Sequence, residues 1–233
     1  MEVKSMKSAR KSASRHTQKS PETLPIRFEK RVENLFKPYI VGIGGTTRAG
    51  SSPEKALRYA LSIAAEQGAE TELFDGPSVH LPMYSPESAE RSLDALRLIQ
   101  ALRRAHGVIL ATPCYHGSVS GLLKNALDYV EDMRVDQHPY LDGRAVGLIV
   151  CGHGWQSTAI TLSALRSIVH ALRGWPTPMG VAINTNLNPF DKNDTVTEET
   201  AARQITIMTG QVVEFARMRC RAADEPPQQP QHM

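Results

Sequence analysis

The chain has 233 residues, 41% of them hydrophobic, which is enough to bury one substantial core with tails to spare. No apolar run approaches the roughly 20 residues of a membrane span, which excludes a helical membrane protein. The formal charge of +3 is local: residues 1–20 hold six Lys/Arg against Glu2, and the remaining 21 basic and 23 acidic residues give −2, which argues against a nucleic-acid-binding core.

Residues 1–37 are rich in Ser, Lys and Arg and read as a disordered basic tail and linker, with some of the composition of a transit peptide but no regular apolar face. From residue 38 strands and helices alternate. The apolar run Tyr39-Ile40-Val41-Gly42-Ile43 predicts a first strand over 39–44. The loop Gly44-Gly45-Thr46-Thr47-Arg48-Ala49-Gly50-Ser51-Ser52 follows, and a helix begins near Ser52-Pro53, where proline fits a first turn. Small residues, hydroxyls, one guanidinium and the N–H groups of a helix start converge there, the makings of an anion cradle. Ser51 stands where a nucleotide-triphosphate loop needs lysine, and the last glycine of a dinucleotide fingerprint is absent. A phosphomonoester pocket remains, beside the plain alternative of a strand-to-helix turn capped by Ser or Thr.

Ala56, Leu57, Ala60, Leu61 and Ala64 recur at helical spacing up to Gly68, and a second strand covers 70–74. Past the segment Leu81-Pro82-Met83-Tyr84, a second helix is predicted over 86–104 and a third, continuously apolar strand over 107–111. The loop 112–120 enters a third helix whose packing face includes Leu122, Leu123, Ala126, Leu127 and Val130. A fourth strand over 145–150, a helix over 157–172, a fifth strand over 179–183 and a last helix over 197–219 complete a domain spanning 38–221. Residues 222–233, rich in Pro and Gln, read as a disordered tail.

Strand–helix repetition of this kind makes a parallel sheet covered on both faces. The two loops richest in glycine and hydroxyls follow the first and third strands, which are neighbours in the order 2-1-3-4-5. The expected fold is therefore α/β, a flavodoxin-like three-layer α/β/α sandwich on a five-stranded parallel sheet of that order.

The stretch Thr112-Pro113-Cys114-Tyr115-His116-Gly117-Ser118-Val119-Ser120-Gly121, continuing Leu122-Leu123-Lys124-Asn125-Ala126-Leu127-Asp128, resembles the flavin loop of the NAD(P)H-dependent FMN reductase family. Gly45, Thr46, Arg48 and Ser51 resemble that family's phosphate signature, and Leu81-Pro82-Met83-Tyr84 a segment common after its second strand. The resemblance covers about 39–185. It implies FMN with its phosphate on Thr46, Arg48, Ser51 and Ser52 and its ring along Pro113, Cys114, Tyr115, His116, Gly117 and Ser118. Gly152, His153, Gly154 and Trp155, in the loop after the fourth strand, are implied ring neighbours, with Trp155 alternatively a structural cap over the following helix. Pro53 departs from the family's usual asparagine and removes a donor.

The implied activity is hydride transfer from NADPH or NADH to bound FMN and on to a small acceptor such as free flavin, a quinone or an azo dye, with no catalytic side chain required. The competing class is a flavodoxin-type electron carrier, usually strongly acidic where this core is not. A third is a protein that binds FMN without turning it over. The eight His lack the i, i+4 spacing of a helical metal site, and Cys114 lacks an evident base for a nucleophile's role. Three cysteines without metal-type spacing fit a reducing cytoplasm. The family also implies a homodimer or homotetramer, for which Tyr129, Val130 and Met133 are candidates, as they are for the chain's own core.

Overall fold

The computed structural model describes residues 36–193 and 195–224; most of the two predicted tails lies outside them. Six parallel strands, β1 Tyr39–Gly44, β2 Glu70–Phe74, β3 Gly107–Pro113, β4 Ala145–Gly152, β5 Trp175–Pro176 and β6 Val181–Asn184, form one sheet of order β2-β1-β3-β4-β5, with β6 also paired to β4. β1, β3 and β4 are buried along nearly their whole length, as their unbroken apolar sequences require. Among the described residues, five α-helices cover the faces: α1 Ser52–Glu66, α2 Leu93–Arg104, α3 Gly121–Asp128, α4 Trp155–Ala171 and α5 Glu199–Asp224.

Alternation along β1 divides the core. Tyr39, Val41 and Ile43 join a cluster with α2, α3 and α4, whereas Ile40 joins the cluster of α1 and α5. On the α1/α5 side the helices sit so close that a Cβ on Gly147 would lie 2.1 Å from Met208 Sδ. The result is the expected three-layer sandwich.

Four departures from the expected elements have physical causes. The predicted fifth strand, 179–183, is found as Val181–Asn184, with Val181 pairing with Ile149, and an unpredicted two-residue strand precedes it, Trp175 pairing with Ala145. Between them Pro178 offers no N–H and Met179 donates to Gln211 Oε1 on α5 at 3.0 Å, so the ladder is interrupted. α2 starts at Leu93, capped by Ser92, because Arg91 straps residues 85–91 as a loop. Its guanidinium grips Asp132 at 2.6 and 2.8 Å and donates to the carbonyls of Ser88 and Glu90. α3 ends at Asp128 and gives way to a 3₁₀ turn, Tyr129–Met133, in which Tyr129, Val130 and Met133 are buried in the chain's own core. α5 runs on to Asp224, its start fixed by the Glu198 carboxylate, which accepts from the N–H groups of Thr200 and Ala201.

Candidate functional site

The loops that leave β1, β3 and β4 lie at the carboxyl edge of the sheet, the edge where open α/β sheets bind ligands. Two glycines record how closely they meet. A Cβ on Gly45 would stand 2.8 Å from Ser120 Oγ and 3.1 Å from Thr112 Oγ1, so the first loop abuts the second. A Cβ on Gly152 would stand 2.9 Å from Cys114 Cβ, so the second abuts the third. Folding thus gathers the predicted site residues into three contiguous loops.

In the first loop Thr46 is half-buried and Arg48 exposed, and the Arg48 N–H donates to Thr46 Oγ1 at 3.1 Å. Gly50, at φ +67°, donates to Glu54 Oε2 at 2.9 Å. Ser51 occupies the N-cap position of α1, yet its hydroxyl makes no capping bond. That hydroxyl is buried and, among the described residues, has no partner. The capping alternative for Ser51 therefore fails: a buried polar atom aligned with a helix start is left unpaid by the protein itself.

The second loop is a tight hairpin. Tyr115 and Ser118 exchange backbone hydrogen bonds at 3.0 Å, and both residues between them, His116 at φ +52° and Gly117 at φ +78°, are left-handed. His116 lacks glycine's freedom there, so the backbone is held in a conformation that L residues rarely adopt. Cys114 is stitched to its surroundings: its N–H donates to the Cys151 carbonyl at 2.8 Å, and its thiol donates to the Ser157 carbonyl at 3.2 Å and lies 3.0 Å from Thr161 Oγ1. Those bonds give it a positioning place between the hairpin and α4. Cys151 is fully buried, and burial pushes its thiol well above the ordinary range, so it stays neutral.

In the third loop His153 is exposed, and Gly154, at φ +107°, donates to Asn184 Oδ1 at 3.0 Å. Trp155 is 55% exposed and opens α4, whose first turn the sequence had as loop. Its exposure leaves the ring face available and removes the reading of Trp155 as a buried cap.

Several residues that hold these loops escaped the sequence reading. Thr112 Oγ1 accepts from the Ser120 N–H, and Ser120 Oγ in turn accepts from the Leu123 N–H at the start of α3. Asn125 accepts from the Tyr84 N–H and donates to the carbonyls of Leu81 and Pro82, which fixes the Leu-Pro-Met-Tyr segment beside α3. Asn184 also accepts from the Asn186 N–H, coupling the end of β6 to the third loop. Thr112, Ser120 and Asn125 stand within the motif quoted above without a role assigned to them, whereas Asn184 lies just past the predicted fifth strand.

A 2-1-3-4-5 sheet with a hydroxyl-lined cradle after its first strand and a strained hairpin after its third defines a mononucleotide-binding protein of the flavodoxin-like class. More narrowly, the chain belongs to the NADPH-dependent FMN reductase family, which it matches over residues 38–187. That family pairs FMN with NADPH in an oxidoreductase reaction, the pairing that the motifs implied. The chain is 37% identical over 101 residues to the NADPH azoreductase of a Bacillus species, a match of 43% of this chain and 54% of that protein, so it spans about half that relative's length. It is 33% identical over 155 residues to the FMN-dependent NADPH-azoreductase of Staphylococcus aureus, covering 64% of this chain and 78% of that one. The flavoenzyme NAD(P)H:(acceptor) oxidoreductase of Paracoccus denitrificans superposes with a TM-score of 0.66 at 21% identity, over 78% of this chain and 98% of that one, and shares the fold.

Proposed function

We propose that the three loops hold FMN and that the chain uses it to reduce a small electron acceptor at the expense of NADPH or NADH. The observation that carries this reading is the Ser51 hydroxyl, buried without a partner among the described residues, at the junction of the loop that bears Thr46 and Arg48 with α1, which opens on Ser52. A phosphate oxygen satisfies that atom, and Arg48 supplies the countercharge. Pro53 contributes no N–H, so the hydroxyls carry more of the work.

The hairpin offers donors for the ring edge. Its own bonds use the N–H groups of Cys114, Tyr115 and Ser118, and Pro113 has none. The N–H groups of His116 and Gly117, both at left-handed backbone positions, are not used by these bonds. Gly152, His153, Gly154 and Trp155 flank the same edge, and Tyr115 and Trp155 add exposed aromatic faces to the site. Bound FMN supplies the hydride acceptor and donor, so the side chains have to bind, orient and leave one ring face open.

The acceptor class is a flat, reducible molecule such as a free flavin, a quinone or an azo dye, the last in keeping with the relatives' names. No helix among the described residues is long and apolar enough to cross a membrane. We place the protein in the cytoplasm, without a nucleic-acid partner, as a homodimer or homotetramer. Met83, Leu93 and Val135, at 81%, 85% and 82%, are the most exposed of the large apolar side chains among the described residues and so candidates for self-association, the earlier candidates being core residues. Anaerobic addition of NADPH to the FMN-loaded protein tests the activity. Bleaching of the visible flavin band supports it, and a bound flavin that stays oxidised with both nicotinamides returns the chain to the carrier or ligand-binding class.

A further inference from the structure

The cradle contains an acid that its ligand does not need. Glu54 lies in the first turn of α1, its side chain 15% exposed, and Oε2 holds the Gly50 N–H at 2.9 Å. Its other oxygen accepts from Arg58 Nε at 3.0 Å, and Arg58 Nη2 reaches Asp75 Oδ2, just after β2, at 2.7 Å. Two carboxylates therefore share one guanidinium, and Arg58 has no charge left over for an anion in the loop. Asp75 registers the crowding: burial holds its carboxyl above the usual range and the Glu54 charge adds to the effect, against the pull of Arg58. The other cations nearby are Arg48, which is exposed, and Lys55, whose Nζ lies 5.8 Å from the centre of the Phe190 ring. The backbone donors are also reduced: Pro53 lacks an N–H, Arg48 N–H is turned to Thr46, and Gly50 N–H to Glu54.

We propose that Glu54 is a resident anion of the cradle that keeps FMN exchangeable, occupying a loop N–H and placing a like charge where the FMN phosphate binds. The inference rests on the flavin reading above and adds to it the manner of holding. A phosphate entering the loop displaces the carboxylate from Gly50 or binds against its field, and either course weakens retention. The family's flavin then behaves in this chain as a ligand that comes and goes, a property suited to delivering reduced flavin to another site.

The test is a titration of FMN and of riboflavin, which lacks the phosphate, into the wild type and E54Q by quenching of flavin fluorescence. Glutamine keeps one oxygen as the acceptor for the Gly50 N–H and removes the charge, and its amide nitrogen gives up the bond from Arg58 Nε. The expected result is FMN bound about threefold or more tightly by E54Q, a like charge at a partly screened site being worth at least that, with riboflavin affinity unchanged. E54Q binding FMN no more tightly than the wild type overturns the role of Glu54 while leaving the flavin reading in place. A gain shared equally by riboflavin also overturns it, because the effect then lies outside the phosphate. Failure of both proteins to bind FMN overturns the flavin reading and this inference with it.

Discussion

Replacing Ser51 with alanine separates a binding hydroxyl from a structural one, because the two roles predict opposite signs. In the unliganded protein the Ser51 hydroxyl is buried, makes no capping bond and has no partner among the described residues. A buried polar atom left unsatisfied costs about 1–3 kcal/mol, so Ser51→Ala is expected to stabilise the unliganded protein, by about 1 kcal/mol if only part of that cost is relieved. For a domain of this size that is a rise in melting temperature of roughly 2–4 °C. The same substitution removes a hydrogen bond to a charged phosphate, a loss of about 1.5–3 kcal/mol, or roughly 10- to 150-fold in FMN affinity. Thermal melts with and without FMN, together with fluorescence titration, measure both effects on one preparation. A fall in the melting temperature of the unliganded variant would mean that the hydroxyl caps α1 after all, and an unchanged FMN affinity would remove Ser51 from the phosphate site.

Arg48→Ala is expected to weaken FMN by about 1–2 kcal/mol, the guanidinium being exposed and its contact partly screened, with little change in melting temperature; equal loss for riboflavin and FMN would count against a phosphate contact. Gly147→Ala brings a Cβ to 2.1 Å from Met208 Sδ and is expected to destabilise the fold by about 1–3 kcal/mol, read from a denaturant midpoint, without altering flavin affinity in the folded fraction. His106 accepts the Tyr39 N–H on Nδ1 at 3.0 Å, and burial, with the Arg144 charge, holds its pKa below the ordinary value. The unfolded chain therefore takes up the proton first: the stability due to neutral His106 is intact above about pH 6.5 and is lost as pH falls through that value toward the folded pKa. Denaturant midpoints measured from pH 8 to pH 5 should fall, and His106→Gln should flatten that slope; an equal slope in the variant assigns the pH dependence elsewhere.

The sheet order could be read before the structure from the two glycine- and hydroxyl-rich loops after the first and third strands, and the central strands themselves because burial on both faces leaves a signature that no surface element shares. The runs at 40–43, 107–111 and 145–150 have no polar interruption, and a strand is the short element that such a run can fill. Elements failed to show where a tertiary contact overrode local preference. The stretch 86–92 has the composition of a helix start, yet Arg91 gains more from Asp132, and from stacking 4.9 Å over the Tyr84 ring, than from a further turn. Met179 belongs by pattern to a strand, but its N–H finds Gln211 on α5, a residue 32 positions away whose placement no local window reveals.

The site follows the same division. Residues that meet the ligand by chemical type, hydroxyls, a guanidinium and glycines in a run, advertise themselves by composition. Those that aim them do so through one side-chain atom at long sequence range, as Asn125 does for the segment at 81–84 and Asn184 for Gly154. Even where such a residue falls inside a quoted motif, as Asn125 does, the sequence does not reveal which distant loop it holds. Yet these are the contacts that keep three separate loops in one arrangement before any ligand arrives, and hydrogen bonds already made need not be formed at the expense of binding. The first loop differs in just this respect. Its Gly50 bond to Glu54 must be surrendered or opposed when an anion enters, whereas the hairpin and the third loop surrender nothing. On the reading proposed above, the ring meets a frame already set and the phosphate a cradle that resists it, and a flavin held in that way is positioned for reduction without being retained.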